Sequence, residues 1–98
     1  MVKQVTWTYR AQQDRIEILR YWRIRNQSNT YSKKLNLLIK KAISLIAVYP
    51  HIGRQTTIEG IRVKLVIDYL IFYEVRDDQI FILSIWDNRR DPEKIPYQ

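Results

Sequence analysis

The sequence of 98 residues predicts a single folded domain, because it is 46% hydrophobic, contains three Trp and seven Tyr, and is too short for its core to divide. It has no cysteine, which excludes disulfides and thiolate metal sites, and no apolar run of ~20 residues that would span a membrane, so we expect a cytoplasmic protein without a membrane partner. The net charge of +7 comes from the first half, since residues 1–50 contain ten Lys and Arg against two Asp and Glu, whereas residues 51–98 contain seven against eight. Such a charge suits an acidic partner, whether nucleic acid, ribosome or protein.

The first predicted elements are a strand and a helix. Lys3–Trp7 alternates polar and apolar residues, as a half-buried strand does. Thr8 is the expected N-cap of a helix over Tyr9–Asn26, whose apolar residues share one arc at 100° per residue. These residues are Ala11, Ile16, Ile18, Leu19 and Trp22. Arg15 falls within the arc, and we expect its stem to lie along apolar surface.

A second helix is expected over Tyr31–Tyr49, after a polar break in which Ser28, Asn29 or Thr30 supplies the cap. One side of this helix is apolar and the other carries four lysines. The apolar side contains Leu35, Leu38, Ile39, Ala42, Ile43, Leu45 and Ile46, and the lysines are Lys33, Lys34, Lys40 and Lys41. Pro50 ends the helix, so the two helices are predicted to form a hairpin.

Three strands are predicted after a loop at residues 51–60. Residues 61–67 place Arg62 and Lys64 on one face and four aliphatic side chains on the other. Tyr69–Arg76 is rich in aromatic and β-branched residues, and a tight connection at residues 77–79 leads into Ile80–Trp86, which is apolar on both faces and therefore predicts a central strand. Residues 87–98 contain two prolines and are expected to form an irregular tail.

This order of elements predicts an α+β fold: an N-terminal strand, a helical hairpin and a three-stranded antiparallel meander, with the helices packed on one sheet face. The opposite face is expected to stay partly open. We expect Arg62 and Lys64 to point towards this open face and to meet Arg89 and Arg90 of the tail there. The result would be a concave basic patch.

Five motifs, in this order and spacing over nearly the whole chain, carry a family resemblance. They are Trp7 at the end of the first strand, Tyr49–Arg54, Ile61–Lys64, Tyr69–Tyr73 and Trp86–Pro92. In this respect the sequence resembles the RelE/ParE superfamily of bacterial type II toxin–antitoxin systems. The resemblance implies one toxin domain over residues 1–98, with growth inhibition and plasmid stabilisation as its roles. It further implies no cofactor, a cognate antitoxin as partner, and contact with operator DNA only through that antitoxin.

The branches of this superfamily differ in target. The ParE-like branch poisons DNA gyrase, whereas the RelE-like branch cleaves mRNA in the ribosomal A site. Where the nuclease branch has an arginine just after the first tyrosine of its third strand, this sequence has Leu70. The resemblance therefore favours gyrase as target, with ribosome-dependent mRNA cleavage, or a non-toxic relative that only binds antitoxin, as alternatives.

RNA cleavage requires activation of a ribose hydroxyl, neutralisation of the growing phosphate charge and protonation of the leaving oxygen. By position, Arg62 and Lys64 match the basic strand pair of the nuclease branch. Arg89 or Arg90 matches the arginine that this branch has later in the chain, and Tyr97 matches its terminal tyrosine. We expect catalytic roles for them only if the protein is RelE-like. Together with Trp86, the four cations are also the expected binding residues.

Each of these residues has a structural alternative. In these alternatives, Arg62 and Lys64 are simply solvated or contact the antitoxin. Arg89 and Arg90 pair with nearby carboxylates. Tyr97 is frayed at the end of the chain. The lysine face of the second helix is typical of solvent-exposed helix surface, and contact with DNA or gyrase is its alternative interpretation. His51, the only histidine, is expected at the surface.

Overall fold

The computed structural model describes residues 2–97, which form a five-stranded sheet with a helical hairpin on one face. The elements are β1 (Gln4–Trp7), α1 (Tyr9–Asn26), α2 (Thr30–Val48), β2 (Arg54–Gln55), β3 (Ile61–Val66), β4 (Tyr69–Arg76), β5 (Gln79–Asp87) and a short 3-10 helix (Pro92–Lys94). The α+β architecture expected from the sequence is confirmed. Neither α-helix of this part of the chain is sufficiently long and apolar to cross a membrane.

The strands lie in the order β1-β5-β4-β3-β2. β1 runs parallel to β5, and the other neighbours are antiparallel. The last strand is therefore flanked on both sides, as its two apolar faces predicted. The prediction of a loop throughout residues 51–60 is wrong at Arg54 and Gln55, which pair with Val63 and Arg62. A ladder of two residues is too short to produce a readable period in the sequence.

The start of α1 joins the helical hairpin to the sheet. The Thr8 hydroxyl accepts a hydrogen bond from the Ala11 N–H at 3.2 Å and donates one to the Ile82 carbonyl at 2.7 Å, so the predicted N-cap is confirmed. Beyond the end of β1, the Asp14 carboxylate accepts from the Ile85 N–H at 3.0 Å. Side chains of α1 thus satisfy the backbone of β5 where β1 no longer covers it.

The apolar arcs of both helices are narrower than the sequence predicted. Ile16 is 53% exposed and Leu45 39% exposed, so both lie outside the core. In α1 only Ala11 is fully buried, because this helix packs on the β5 side of the sheet and on α2 rather than between two layers. Arg15 behaves as expected, since its guanidinium lies over the Trp7 ring at 4.8 Å.

Two separate cores lie on the two sides of the sheet. The helix-side core joins α1 and α2 to the inner side chains of β4 and β5, including Ile71, Tyr73, Ile80 and Ile82. The tail-side core joins side chains on the opposite face to the end of the chain. It contains Ile61, Val63, Leu70 and Phe72, with Leu83, Trp86, Ile95 and Tyr97 packed against them.

The tail is largely irregular, as the sequence predicts, but it begins later than predicted and packs on the sheet. Strand β5 continues to Asp87, and Asp91 caps the 3-10 helix by accepting from the Glu93 N–H at 3.0 Å. The residues after this helix then pack on the second sheet face. The face predicted to remain open is therefore apolar and covered, because the tail contributes Ile95 and Tyr97 to it.

Candidate functional site

The strand register places Arg62 and Lys64 on the helix side of the sheet, not on the face that the tail covers. Arg62 lies opposite Tyr73 and Lys64 opposite Ile71, and both partners belong to the helix-side core. Directly opposed residues of an antiparallel pair share a face. The expectation that these two cations point to the open face is therefore wrong, because Ile61 and Val63 occupy that face instead.

Arg62 is engaged by the backbone of the loop that follows α2. Its Nη1 donates to the Gly53 carbonyl at 2.7 Å and to the His51 carbonyl at 3.2 Å. The buried Tyr73 hydroxyl donates to the Pro50 carbonyl at 2.8 Å and accepts from the Gly53 N–H at 2.9 Å. Arg62 and Tyr73 together therefore hold the loop against β3 and β4.

Glycine is required at position 53 by this close approach. A Cβ there would lie 2.6 Å from the Tyr73 hydroxyl oxygen and 2.8 Å from the Val63 carbonyl oxygen, closer than atoms pack. Burial is the main cause that raises the pKa of Tyr73, and the hydrogen bond from Gly53 opposes it. The hydroxyl thus stays protonated and able to donate to Pro50.

Arg89 lies at the other end of the strands and is held by carboxylates. Its Nε and Nη2 donate to the two carboxylate oxygens of Asp87 at 3.0 and 3.1 Å, a bidentate arrangement. Its guanidinium also lies 5.6 Å from the centre of the Trp22 ring and 3.8 Å from Asp68. The hydrogen bond from Arg89 is the main cause that lowers the pKa of Asp87, and the same pairing raises the pKa of Arg89.

Arg90 differs from its neighbour. Among residues 2–97 it belongs to none of the ion pairs, and its guanidinium lies over the Trp86 ring at 5.7 Å. The Trp86 indole Nε1 is buried and has no hydrogen-bond partner within the same range. Because a buried indole N–H normally finds an acceptor, this orphaned donor next to a free cation is unusual.

Trp86 and Arg90 line a cleft of about 610 Å³ between α1 and the end of β5. We call it the α1–β5 cleft. Its charged lining consists of Arg10, Arg90, Asp14, Glu17 and Asp87. With two arginines and three carboxylates it is not the concave basic patch that we expected. Tyr69 lies at the wall, where its hydroxyl accepts from the Trp22 Nε1 at 2.7 Å.

Tyr97 lies across the sheet from Arg62 and Lys64. Its ring packs on Phe72 with a centroid separation of 5.3 Å, in the tail-side core. Arg62 lies four residues before the end of β3. It is therefore about 13 Å along the strand from the turn at Asp68, which Arg89 contacts. Catalytic groups must reach one phosphate within about 3 Å, so the structure does not bring the predicted nuclease residues together.

Comparison with known proteins gives the family. A family model described as ParE toxin of type II toxin-antitoxin system, parDE, matches residues 5–92. The chain belongs to the ParE toxin family. A comparison with curated protein sequences finds no match.

The ParE fold is also found by comparison with solved structures. A structure described as a chromosomal ParDE TA system from P. aeruginosa superposes with a TM-score of 0.73, covering 86% of this chain and 94% of that chain at 18% sequence identity. At this identity the likeness extends to the fold alone. The RelE/ParE resemblance drawn from the five sequence motifs is confirmed.

In this ParE-family toxin, Leu70 belongs to the tail-side core and is only 5% exposed. The position at which the nuclease branch carries a cation is thus buried among Val63 and Phe72. An arginine there would have to bury its charge without a partner. Leu70 is therefore a core residue in this chain.

Sequence reasoning did not single out Asp14 and Tyr69 of the cleft, nor Trp22, whose indole N–H donates to the Tyr69 hydroxyl. Asp14 lies six residues, or nearly two helical turns, after the N-cap Thr8, and from there its carboxylate reaches the backbone of β5. Tyr69 and Trp22 each carry a polar group on a large ring, and a buried hydroxyl and indole need partners. That requirement was the available signal, but which groups meet depends on how α1 lies on the sheet.

Proposed function

We propose that this toxin arrests growth by poisoning DNA gyrase and that a cognate antitoxin neutralises it. The observation that carries the choice of gyrase is the burial of Leu70 in the tail-side core, together with Tyr97. A ribonuclease of this fold needs a cationic surface at the position of Leu70 to neutralise phosphate charge. Membership of the ParE family supports the same choice.

The α1–β5 cleft is the proposed contact with the target. Arg90 is free of carboxylate partners and rests on the Trp86 ring, and arginine on an aromatic ring is a frequent combination in binding surfaces. Arg89 holds the segment in place through Asp87 rather than contacting the target. Arg62 supports the loop after α2, whereas Lys64 is half-buried and contributes to target or antitoxin binding.

Purified gyrase and relaxed plasmid test this proposal. Adding the toxin should reduce supercoiling and accumulate linear plasmid after protein denaturation, since a poison traps the cleaved state. Arg90→Ala should weaken inhibition at least tenfold. Arg54→Ala, which removes another exposed arginine remote from the cleft, is the control and should inhibit like the wild type. Normal supercoiling with excess folded toxin, combined with codon-phased mRNA cuts in a translating extract, would instead establish the nuclease alternative.

The antitoxin part of the proposal has a separate test. A net charge of +7 favours association with an acidic partner, and the antitoxin would also carry the pair to operator DNA. Growth should stop when the toxin is induced alone and recover when the small gene beside it is co-expressed. Unaffected growth with soluble, folded toxin present would identify a non-toxic relative.

A further inference from the structure

The positive charge of residues 18–58, which include most of the helical hairpin, is not balanced by any carboxylate in the same segment. Residues 18–58 contain eight Lys and Arg and no Asp or Glu. These cations are Arg20, Arg23, Arg25, Lys33, Lys34, Lys40, Lys41 and Arg54, and the first seven lie on α1 and α2. None of the ion pairs within residues 2–97 includes any of the eight.

Four of these cations form one surface, the outer face of α2. Lys33, Lys34, Lys40 and Lys41 are all exposed, while the opposite side of the helix is buried in the helix-side core. The two lysine pairs are seven residues apart, which is two turns or about 10 Å along the axis. Leu37, 54% exposed, lies between them.

The placement of this charge opposes helix stability. Lys33 and Lys34 lie in the first turns of α2, where the helix dipole is positive, and the first turn contains no acidic residue. No carboxylate is present anywhere in Thr30–Val48 to form an i, i+4 pair with a lysine. Arg23 and Arg25 in the last turn of α1 are favourable for the dipole of α1, but they bring further positive charge to the end of the hairpin at which α2 begins. An arrangement that costs stability and has no internal partner fits an external anion.

We propose that the outer face of α2 binds the phosphate backbone of duplex DNA without sequence preference. Duplex DNA carries one charge per ~1.7 Å of axis when both strands are counted, so a length equal to the ~10 Å between the lysine pairs contains about six phosphates, about three on each strand. Lysine is a flexible point charge that suits phosphates, and the exposed side chains of α2 include no amide or guanidinium group to read base edges, its one amide being the half-buried Asn36. An acidic protein partner would need an apolar or aromatic centre, and Leu37 is the only exposed large apolar side chain between the two lysine pairs, with the less exposed Leu45 one turn beyond Lys41.

This inference rests on the proposed function. Gyrase holds duplex DNA, so a toxin bound to gyrase lies close to that DNA. The lysine face lies on a different element from Trp86 and the cleft wall of β5. DNA binding by α2 and enzyme contact by the cleft would then secure the toxin at two points of one gyrase–DNA complex.

The test is binding of the full-length toxin to fluorescently labelled duplex DNA of mixed sequence over a series of salt concentrations. Each phosphate contact contributes about 0.9 to the slope of log affinity against log salt, so K33Q/K34Q/K40Q/K41Q should reduce the slope by about 3 to 4. Affinity at low salt should fall at least tenfold. Because these side chains are exposed, circular dichroism should show an unchanged fold.

A matched pair of double variants separates this surface from net charge. K34Q/K41Q removes two α2 lysines, and R54Q/K94Q removes two exposed cations elsewhere. Only the first should weaken DNA binding and reduce the slope, by about 2. Equal losses in both, absence of DNA binding by the wild type, or tighter binding to duplex RNA would each overturn the proposal.

Two further readouts distinguish the possible failures. If the α2 variants bind DNA normally but no longer bind the antitoxin, the face serves the protein partner and the DNA proposal is overturned. If wild-type toxin inhibits gyrase yet binds no free DNA, the proposed function stands and only this inference fails.

Discussion

The two faces of the sheet are covered in different ways. Two helices of 18 and 19 residues cover one face and bury Leu35, Ile39 and Ile46 completely. The last residues of the chain cover the other, where Ile95 and Tyr97 are only partly buried. The free energy of unfolding depends on the apolar area removed from water, so the helix-side core contributes more of it than the tail-side core. Substitutions in the tail should therefore be tolerated better.

The largest effect is expected from a cavity on the helix side. Ile39 is 0% exposed, and Ile39→Ala should lower the free energy of unfolding by about 2–5 kcal/mol. Urea denaturation measures this value. Leu37→Ala on the same helix is the control, and with its side chain 54% exposed it should change stability by less than about 0.5 kcal/mol. Similar losses from both would mean that α2 is not packed as described.

The next effect concerns the loop that Tyr73 and Arg62 hold. Tyr73→Phe removes the hydroxyl and leaves the Pro50 carbonyl and the buried Gly53 N–H without a partner, at a cost of about 1–3 kcal/mol. Thermal unfolding of Tyr73→Phe measures this cost. Tyr9→Phe, in which the altered ring is 79% exposed, is the control. Amide exchange at Gly53 should accelerate only in the Tyr73 variant; unchanged exchange there would contradict the role of the hydroxyl.

A smaller effect is expected on the tail side. Tyr97→Ala removes the ring that packs on Phe72 and should cost about 1 kcal/mol. Lys94→Ala, at an exposed position of the tail, is the control. Urea denaturation should show that it leaves the free energy of unfolding unchanged. Gyrase inhibition should survive Tyr97→Ala at protein concentrations where the variant is folded. Complete loss of inhibition by a folded variant would give Tyr97 a direct role in target binding instead.

The smallest effect concerns the pairing of Asp87 with Arg89. The folded-state pKa of Asp87 lies below its ordinary value of 3.8. Its charged form therefore stabilises the fold above that value, and the contribution is lost as the pH falls through the folded pKa. Since the pair is partly solvated, Asp87→Asn should cost less than about 1 kcal/mol at neutral pH.

Urea denaturation over a pH series measures this contribution. The difference between the wild type and Asp87→Asn should shrink as the pH falls below 3.8 and vanish once Asp87 is protonated in the folded protein. Glu59→Gln, which alters an exposed carboxylate outside the ion pairs, should behave like the wild type throughout. A difference that grew in acid would contradict the pairing.

The elements of the fold were largely predictable. Periodicity of two or 3.6 residues is a local property, and it located the strand before Thr8, both helices and the strands that became β3, β4 and β5. The five motifs also indicated the family. The exceptions were β2, which is too short to show a period, and Ile16 and Leu45, whose exposure depends on how far each helix reaches over the sheet.

The candidate site was less predictable. Alternation correctly put Arg62 and Lys64 on one face of β3, yet it does not say which face receives the helices. The same applies to Arg89 and Arg90, which are neighbours in sequence, although one is bound by Asp87 and the other rests on Trp86. Partners of this kind are chosen by side chains from distant parts of the chain.

The sequence by itself determined the order of elements, the family and the concentration of positive charge in the helical hairpin, because these follow from composition and local spacing. Tertiary structure decided that the tail closes the second sheet face, that Arg62 supports a loop and that Arg90 stays free. The reason is physical: a side chain's face is set by strand register and helix docking, which depend on contacts between residues far apart in the chain.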